Sequence, residues 1–174
     1  MTDFSPYLPR LRRYARALTG DRARADDLVQ DTLERALRKW ALWRLGSRID
    51  SWLFAIMHNV FVNQVRSAQG RQTNVSLDDL VLEAVAPDRA EEAVQRRDLV
   101  AALAELPEEQ REVLLLVSLE DLSYKEVAGV LGVPVGTVMS RLSRARGQLR
   151  LLLDGALRAG AAPAALRLVQ ARLP

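Results

Sequence analysis

The sequence predicts an all-α protein: two small helical domains joined by a flexible acidic linker, the C-terminal one containing a helix-turn-helix. Three observations predict it. Apolar residues recur at three- and four-residue steps along most of the chain. No run of four to eight residues alternates apolar and polar as a half-buried strand would. Between two such helical regions, from about Ala68 to Gln95, the texture turns polar and loses any sustained apolar stripe, over a length unusual for a loop inside one compact domain. The 174 residues, 49% hydrophobic and 27% charged, suit a globular chain of one ordinary domain or two small ones.

Composition removes several classes of function. Without cysteine there is no disulfide scaffold, thiolate metal site or Cys nucleophile. A single histidine, His58, leaves no imidazole cluster and no Ser/His/Asp set, and no Gly-rich phosphate loop is present. The expectation is a protein without metal, cofactor, small-molecule substrate or catalytic residue. The longest aliphatic run, Val113 to Val117, is five residues, against the ~20 needed to cross a bilayer. The opening Met-Thr-Asp-Phe-Ser-Pro is not a signal peptide. A cytoplasmic protein with no membrane insertion is expected.

The elements follow in order. Leu8/Leu11/Ala15/Leu18, then Leu28/Thr32/Leu33/Ala36/Leu37/Trp40, then Trp52/Ile56/Val60 mark three or four helices in a first domain, 1–68, punctuated by Gly20-Asp21 and Leu45-Gly46-Ser47. Residues 69–95 form the linker, with Asp78, Asp79, Glu83 and Asp88. Residues 96–153 form the second domain. A tail, 154–174, is rich in Ala, Leu and Arg, is interrupted by Gly160 and Pro163, and has no assigned role. Each unit has a size at which one core is marginal, which favours work on a larger partner.

Net charge is only +3, but it is unevenly spread. Residues 1–66 carry 12 bases and 7 acids, for +5, and residues 67–97 carry −2. Residues 98–135 carry −6 and residues 136–150 carry four arginines and no acid. Such segregation suggests a one-sided anionic contact.

That basic stretch lies in a helix-turn-helix. Ser123-Tyr124-Lys125-Glu126 is a capping box, Gly132-Val133-Pro134 is the turn, and a second helix runs from about Val135 to Leu149. Val138, Leu142, Ala145 and Leu149 make its core stripe. Ser140, Ser143, Arg144 and Gly147 then point away, with Arg141 and Arg146 flanking. A small, basic face of this kind suits a DNA major groove; the plainer alternative is a solvated basic helix in a bundle.

Leu106-Pro107-Glu108-Glu109-Gln110-Arg111-Glu112-Val113, Leu122-Ser123-Tyr124-Lys125-Glu126-Val127-Ala128 and Val133 through Arg146 together resemble the promoter-binding domain of extracytoplasmic-function (ECF) sigma factors, initiation subunits of bacterial RNA polymerase. The resemblance spans about residues 8–153. It implies that Thr137, Ser140, Arg141, Ser143, Arg144 and Arg146 meet the −35 element. Met139 stands where the family often has Lys or Arg, so one contact there differs.

In the first domain Asp27, Asp31 and Glu34 form an acidic stripe opposite the Val29/Leu33/Ala36 side. Pattern alone is equally that of a solvated face with acids near a helix N-terminus. The resemblance implies instead that Asp27, Gln30, Asp31 and Glu34 bind the core polymerase. It likewise implies that Ser51, Trp52, Asn59, Asn63 and Arg66 serve the −10 element: Asn59 lining the pocket for an extruded base, Ser51 and Trp52 near the melting point, Asn63 and Arg66 on the backbone. Trp52 is first of all a packing residue, and nothing in the sequence pairs His58 with a partner. The expected partners are core RNA polymerase, promoter DNA and an anti-sigma factor. Two rivals stay open: a free-standing helix-turn-helix regulator, and a sigma-like decoy that sequesters an anti-sigma factor.

Overall fold

A computed structural model of the chain describes residues 3–43, 48–68 and 90–158. Among these, every regular element is helical. They are α1 (Leu8–Thr19), α2 (Arg22–Lys39), α3 (Ile49–Ala68), α4 (Ala90–Ala104), α5 (Glu108–Ser118), α6 (Tyr124–Leu131) and α7 (Val135–Arg158), with short 3-10 turns at Ser5–Tyr7 and Trp40–Leu42. The linker acids Asp78, Asp79, Glu83 and Asp88, the Leu45-Gly46-Ser47 turn and most of the 154–174 tail lie outside the described residues. Two helix ends differ from the boundaries expected above. α4 starts at Ala90, inside the segment read as linker, and α7 continues to Arg158, past the end expected for the domain.

Local chemistry sets the helix ends in the first unit. Gly20 closes α1 at φ +69°, and its amide donates to the Arg16 carbonyl. One residue on, the Asp21 carboxylate caps α2 by accepting from the Arg24 amide at 2.7 Å. α1 buries Leu11, Tyr14, Ala15 and Leu18, and α2 buries Ala25, Leu28, Val29, Thr32 and Ala36. Thr32 is accommodated because its hydroxyl donates to the Leu28 carbonyl at 2.6 Å. Two apolar expectations shift. Leu37 is 57% exposed, because the buried arc of α2 runs through Leu28, Thr32 and Ala36 and leaves Leu37 beside it. On α3 the core is wider than one stripe: Leu53, Phe54, Met57, Val60 and Phe61 are all buried, whereas Trp52 sits on the rim, half-buried and edge-on to Trp40.

In the second unit α5 and α6 pack on α7, and α4 also lies against α7. The two units are not independent. α1 packs on α5 and α3 on α6, so the buried apolar side chains of both form one contiguous cluster. Two units too small for comfortable cores thus complete one another.

Candidate nucleic-acid and polymerase interfaces

The helix-turn-helix is built by its own sequence. Ser123 Oγ accepts from the Glu126 amide, and the Glu126 carboxylate accepts from the Ser123 amide and hydroxyl, each at 2.8 Å, closing a capping box. Those same bonds hold the Glu126 carboxyl below its ordinary range. Gly132 ends α6 at φ +65°, a left-handed conformation that a side chain would strain. Pro134 then opens α7 by accepting from the Thr137 and Val138 amides.

α7 buries Val138, Leu142, Ala145 and Leu149, as their spacing requires. Away from that stripe Met139, Ser140, Ser143 and Arg144 are all exposed, while Thr137 and Arg146 are half-buried at the margins. Ser140 donates its hydroxyl to the Thr137 carbonyl, which leaves its oxygen lone pairs outward. Arg141 is engaged: it pairs with Glu109 of α5 at 2.7 Å. Since Glu109 is 69% exposed, such a pair is worth little in water, and a phosphate could take its place. Beside this face a hollow of about 330 Å³ is lined by Tyr124, Met139, Ser143, Arg146, Gly147 and Arg150. The sequence reading did not include Tyr124 or Arg150 in the face; the placement of α6 against α7 brings them there.

On α3, Asn59, Asn63 and Arg66 are exposed at i, i+4 and i+7, and Trp52, seven residues before Asn59, shares their side. The Asn59 amide donates to the Ala55 carbonyl at 2.8 Å, leaving its carbonyl oxygen free to accept. Ser51 does not belong to this line. Its hydroxyl oxygen is buried and has no hydrogen-bond partner among the described residues. One residue back along a helix is a turn of about 100°, which carries Ser51 off the Trp52 face.

Asp27, Gln30, Asp31 and Glu34 are all exposed along α2. Gln64 of α3 donates to Asp31 at 2.9 Å, and Arg38 lies 3.4 Å from Glu34, an exposed i, i+4 pair. Next to this stripe a groove of about 990 Å³ separates α1 from α2. Val29, Leu33 and Leu37 form its α2 wall, and Arg12, Arg13 and Arg16 line its α1 side. The exposed Leu37 belongs to this groove. None of the described His, Asp and Glu residues cluster as metal ligands, and no described helix is long and apolar enough to cross a membrane.

Comparison with known proteins places the two units. Residues 4–58 match the family model for the sigma2 domain of PhyR, and residues 96–149 match the model for sigma-70 region 4. The ECF RNA polymerase sigma factor EcfG of Rhodopseudomonas palustris is 38% identical over 157 residues, covering 88% of this chain and 86% of the relative. The ECF sigma factor SigL of Mycobacterium tuberculosis is 37% identical over 147 residues, covering 82% and 81%. Among solved structures, the sigma factor RpoE in complex with the anti-sigma factor NepR, from Bartonella quintana, superposes with a TM-score of 0.72 at 34% identity, covering 86% of this chain and 92% of that one. CnrH in complex with the cytosolic domain of CnrY gives 0.65 at 26% identity, over 87% and 84%.

Proposed function

The chain belongs to the ECF sigma factors of RNA polymerase and directs transcription initiation without covalent chemistry of its own, and from that premise we propose how its surfaces divide the work. The exposed α2 row of Asp27, Gln30, Asp31 and Glu34 docks on the core polymerase. The outward side of α7 enters the major groove at the −35 element, with Arg144 as an exposed cation on it and Arg141 released from Glu109 to reach DNA. Asn59, Asn63 and Arg66 follow the −10 strand, and Trp52 at the end of the same line aids its opening. The protein works in the cytoplasm, where polymerase and promoter are, and an anti-sigma factor restrains it, as the complexes of RpoE and CnrH suggest.

The observation that carries this reading is the coexistence on one chain of a polar, basic α7 face and a separate exposed acidic row on α2. An autonomous regulator needs the first and has no use for the second. Co-purification with core polymerase followed by run-off transcription tests it; a folded chain that never associates with core would refute it. One observation favours a second reading. The first unit matches the sigma2 domain of PhyR, and the PhyRSL–NepR complex of Sphingomonas sp. Fr1 superposes at a TM-score of 0.60 and 27% identity. On that reading the chain is a sigma-like decoy, which would bind an anti-sigma factor and fail to support transcription in the same assay.

A further inference from the structure

Met139 is out of place on the surface that α7 turns outward. It is 54% exposed and lies one turn into the helix, about 90° round it from the buried stripe. Its neighbours toward the outer side are short. Ser140 and Ser143 are exposed, and a Cβ added at Gly136 or Gly147 would meet no atom within 4 Å. Met139 therefore projects as a long apolar chain beside a row of small residues. Farther along its own side, at i+7 and i+11, come Arg146 and Arg150, and with Tyr124 of α6 these line the hollow of about 330 Å³. Leu142, buried under the same hollow, adds to its lining. The hollow thus runs along α7 from an apolar end at Met139 and Leu142 to a basic end at Arg146 and Arg150.

Side-chain chemistry limits what the apolar end can recognise. A thioether has no hydrogen to donate, and its sulfur accepts only weakly. Set against guanine it would leave the N7 and O6 acceptors without a donor. Set against cytosine or adenine it would strip water from an amino group and return little. Thymine alone presents an apolar group, its C5 methyl, to the major groove. Residues near the N-terminus of a recognition helix are the ones that meet base edges. An unbranched methionine also adapts its chain to a neighbour without moving the backbone. Cations farther along the same side suit phosphates, which fix position and carry no sequence information.

We propose that Met139 is a specificity-determining residue: it reads the C5 methyl of one thymine in the −35 element, while Arg146 and Arg150 hold nearby phosphates. This role deepens the assignment of α7 to the −35 element and rests on it. An A·T pair at that step is then preferred over G·C through a contact that involves no hydrogen bond.

Deoxyuridine pairs as thymine does and lacks only the methyl, so one group can be removed from the DNA and one from the protein. Holoenzyme assembled from the full chain and core polymerase is titrated with the promoter duplex that transcript mapping assigns to it. Each −35 thymine, on either strand, is replaced in turn by deoxyuridine. At one position the replacement should weaken binding by the unsubstituted chain about fourfold, the worth of one buried methyl. Met139→Ala and Met139→Gln should bind the thymine duplex more weakly and show no further loss with deoxyuridine there. Because Met139 is exposed, both variants should match the parent in helical circular dichroism and in core binding. Arg146→Gln with Arg150→Gln should keep the methyl effect, weaken binding to every duplex, and lower the slope of log affinity on log salt by about 2.

A parent that feels no −35 deoxyuridine, or a Met139→Ala that loses as much as the parent does, would overturn the methyl contact. Loss of core association in Met139→Ala would put this side chain at a protein interface and overturn it too. An unchanged salt slope would overturn the phosphate half. A folded chain that never forms holoenzyme would refute the sigma-factor reading beneath the proposal, whereas holoenzyme that initiates yet ignores the methyl would refute the proposal alone.

Discussion

At the scale of single residues, exposure separates the side chains that can act on a partner from those that hold the fold. Arg144 is exposed on α7. Arg144→Ala should weaken −35-dependent initiation by about 1–3 kcal/mol of base discrimination while core binding stays unchanged; run-off transcription and core co-purification measure the two separately. His58 is the opposite case. It has no partner within its own helix pattern, and the fold supplies Glu112 of the second unit at 2.7 Å. His58→Ala leaves a buried carboxylate without this contact and should cost about 1.5–3 kcal/mol in urea unfolding. The chemical type of Arg144, Asn59 and Asp27 was readable from position in a helix. The partners of His58 and Arg141 were not, because both lie on other helices.

At the scale of elements, the helix-turn-helix was almost wholly legible, since its determinants are local. The capping box spans four residues, the turn needs one left-handed glycine, and the buried stripe of α7 repeats at helical spacing. Ser123→Ala should therefore lower stability by about 1 kcal/mol, read from thermal unfolding. The α2 row is legible for the same reason: Asp27 and Asp31 lie one turn apart and outward. Replacing both by Lys should abolish association with core polymerase while helix content and melting temperature stay close to the parent's. Less legible were Leu37 and Trp52. A stripe of apolar residues tells which residues can be buried, but only the neighbouring helices decide where the arc of contact ends. α1 leaves Leu37 on the wall of a groove, and Trp40 holds Trp52 at the rim.

At the scale of the whole molecule, Asp50 is the group whose titration reports on the arginines that the first unit turns toward the second. Burial opposes its ionisation, but hydrogen bonds from Arg48, Arg10 and the Ser51 amide outweigh this and bring its carboxyl from 3.8 down to about 2. A folded pKa below the unfolded one gives stability that is full above about pH 4 and lost as pH falls toward 2. After allowance for solvent screening that loss is about 1–2 kcal/mol. Asp50→Asn should flatten this part of the stability profile between pH 5 and 2, which chemical unfolding at several pH values would measure. Tyr14, fully buried, has its hydroxyl pushed well above 10 by burial and by the charges of Glu112 and Glu120, so it stays neutral over this range.

By itself the sequence determined the all-helical architecture, the capped helix-turn-helix and the residue types offered on each helix face, because each depends on neighbours within about a turn of the chain. Only the tertiary structure decided what the charge segregation does. In the sequence the +5 of residues 1–66 and the −6 of residues 98–135 stand far apart along the chain. In the fold, part of each is turned on the other: Arg10, Arg13 and Arg48 meet Glu120 and Glu126 across a seam whose members are 78 to 110 residues apart. Local periodicity carries no record of such distances. Complementary charge and a shared apolar interior bring the two units together, and they leave α7, α3 and the α2 row facing outward.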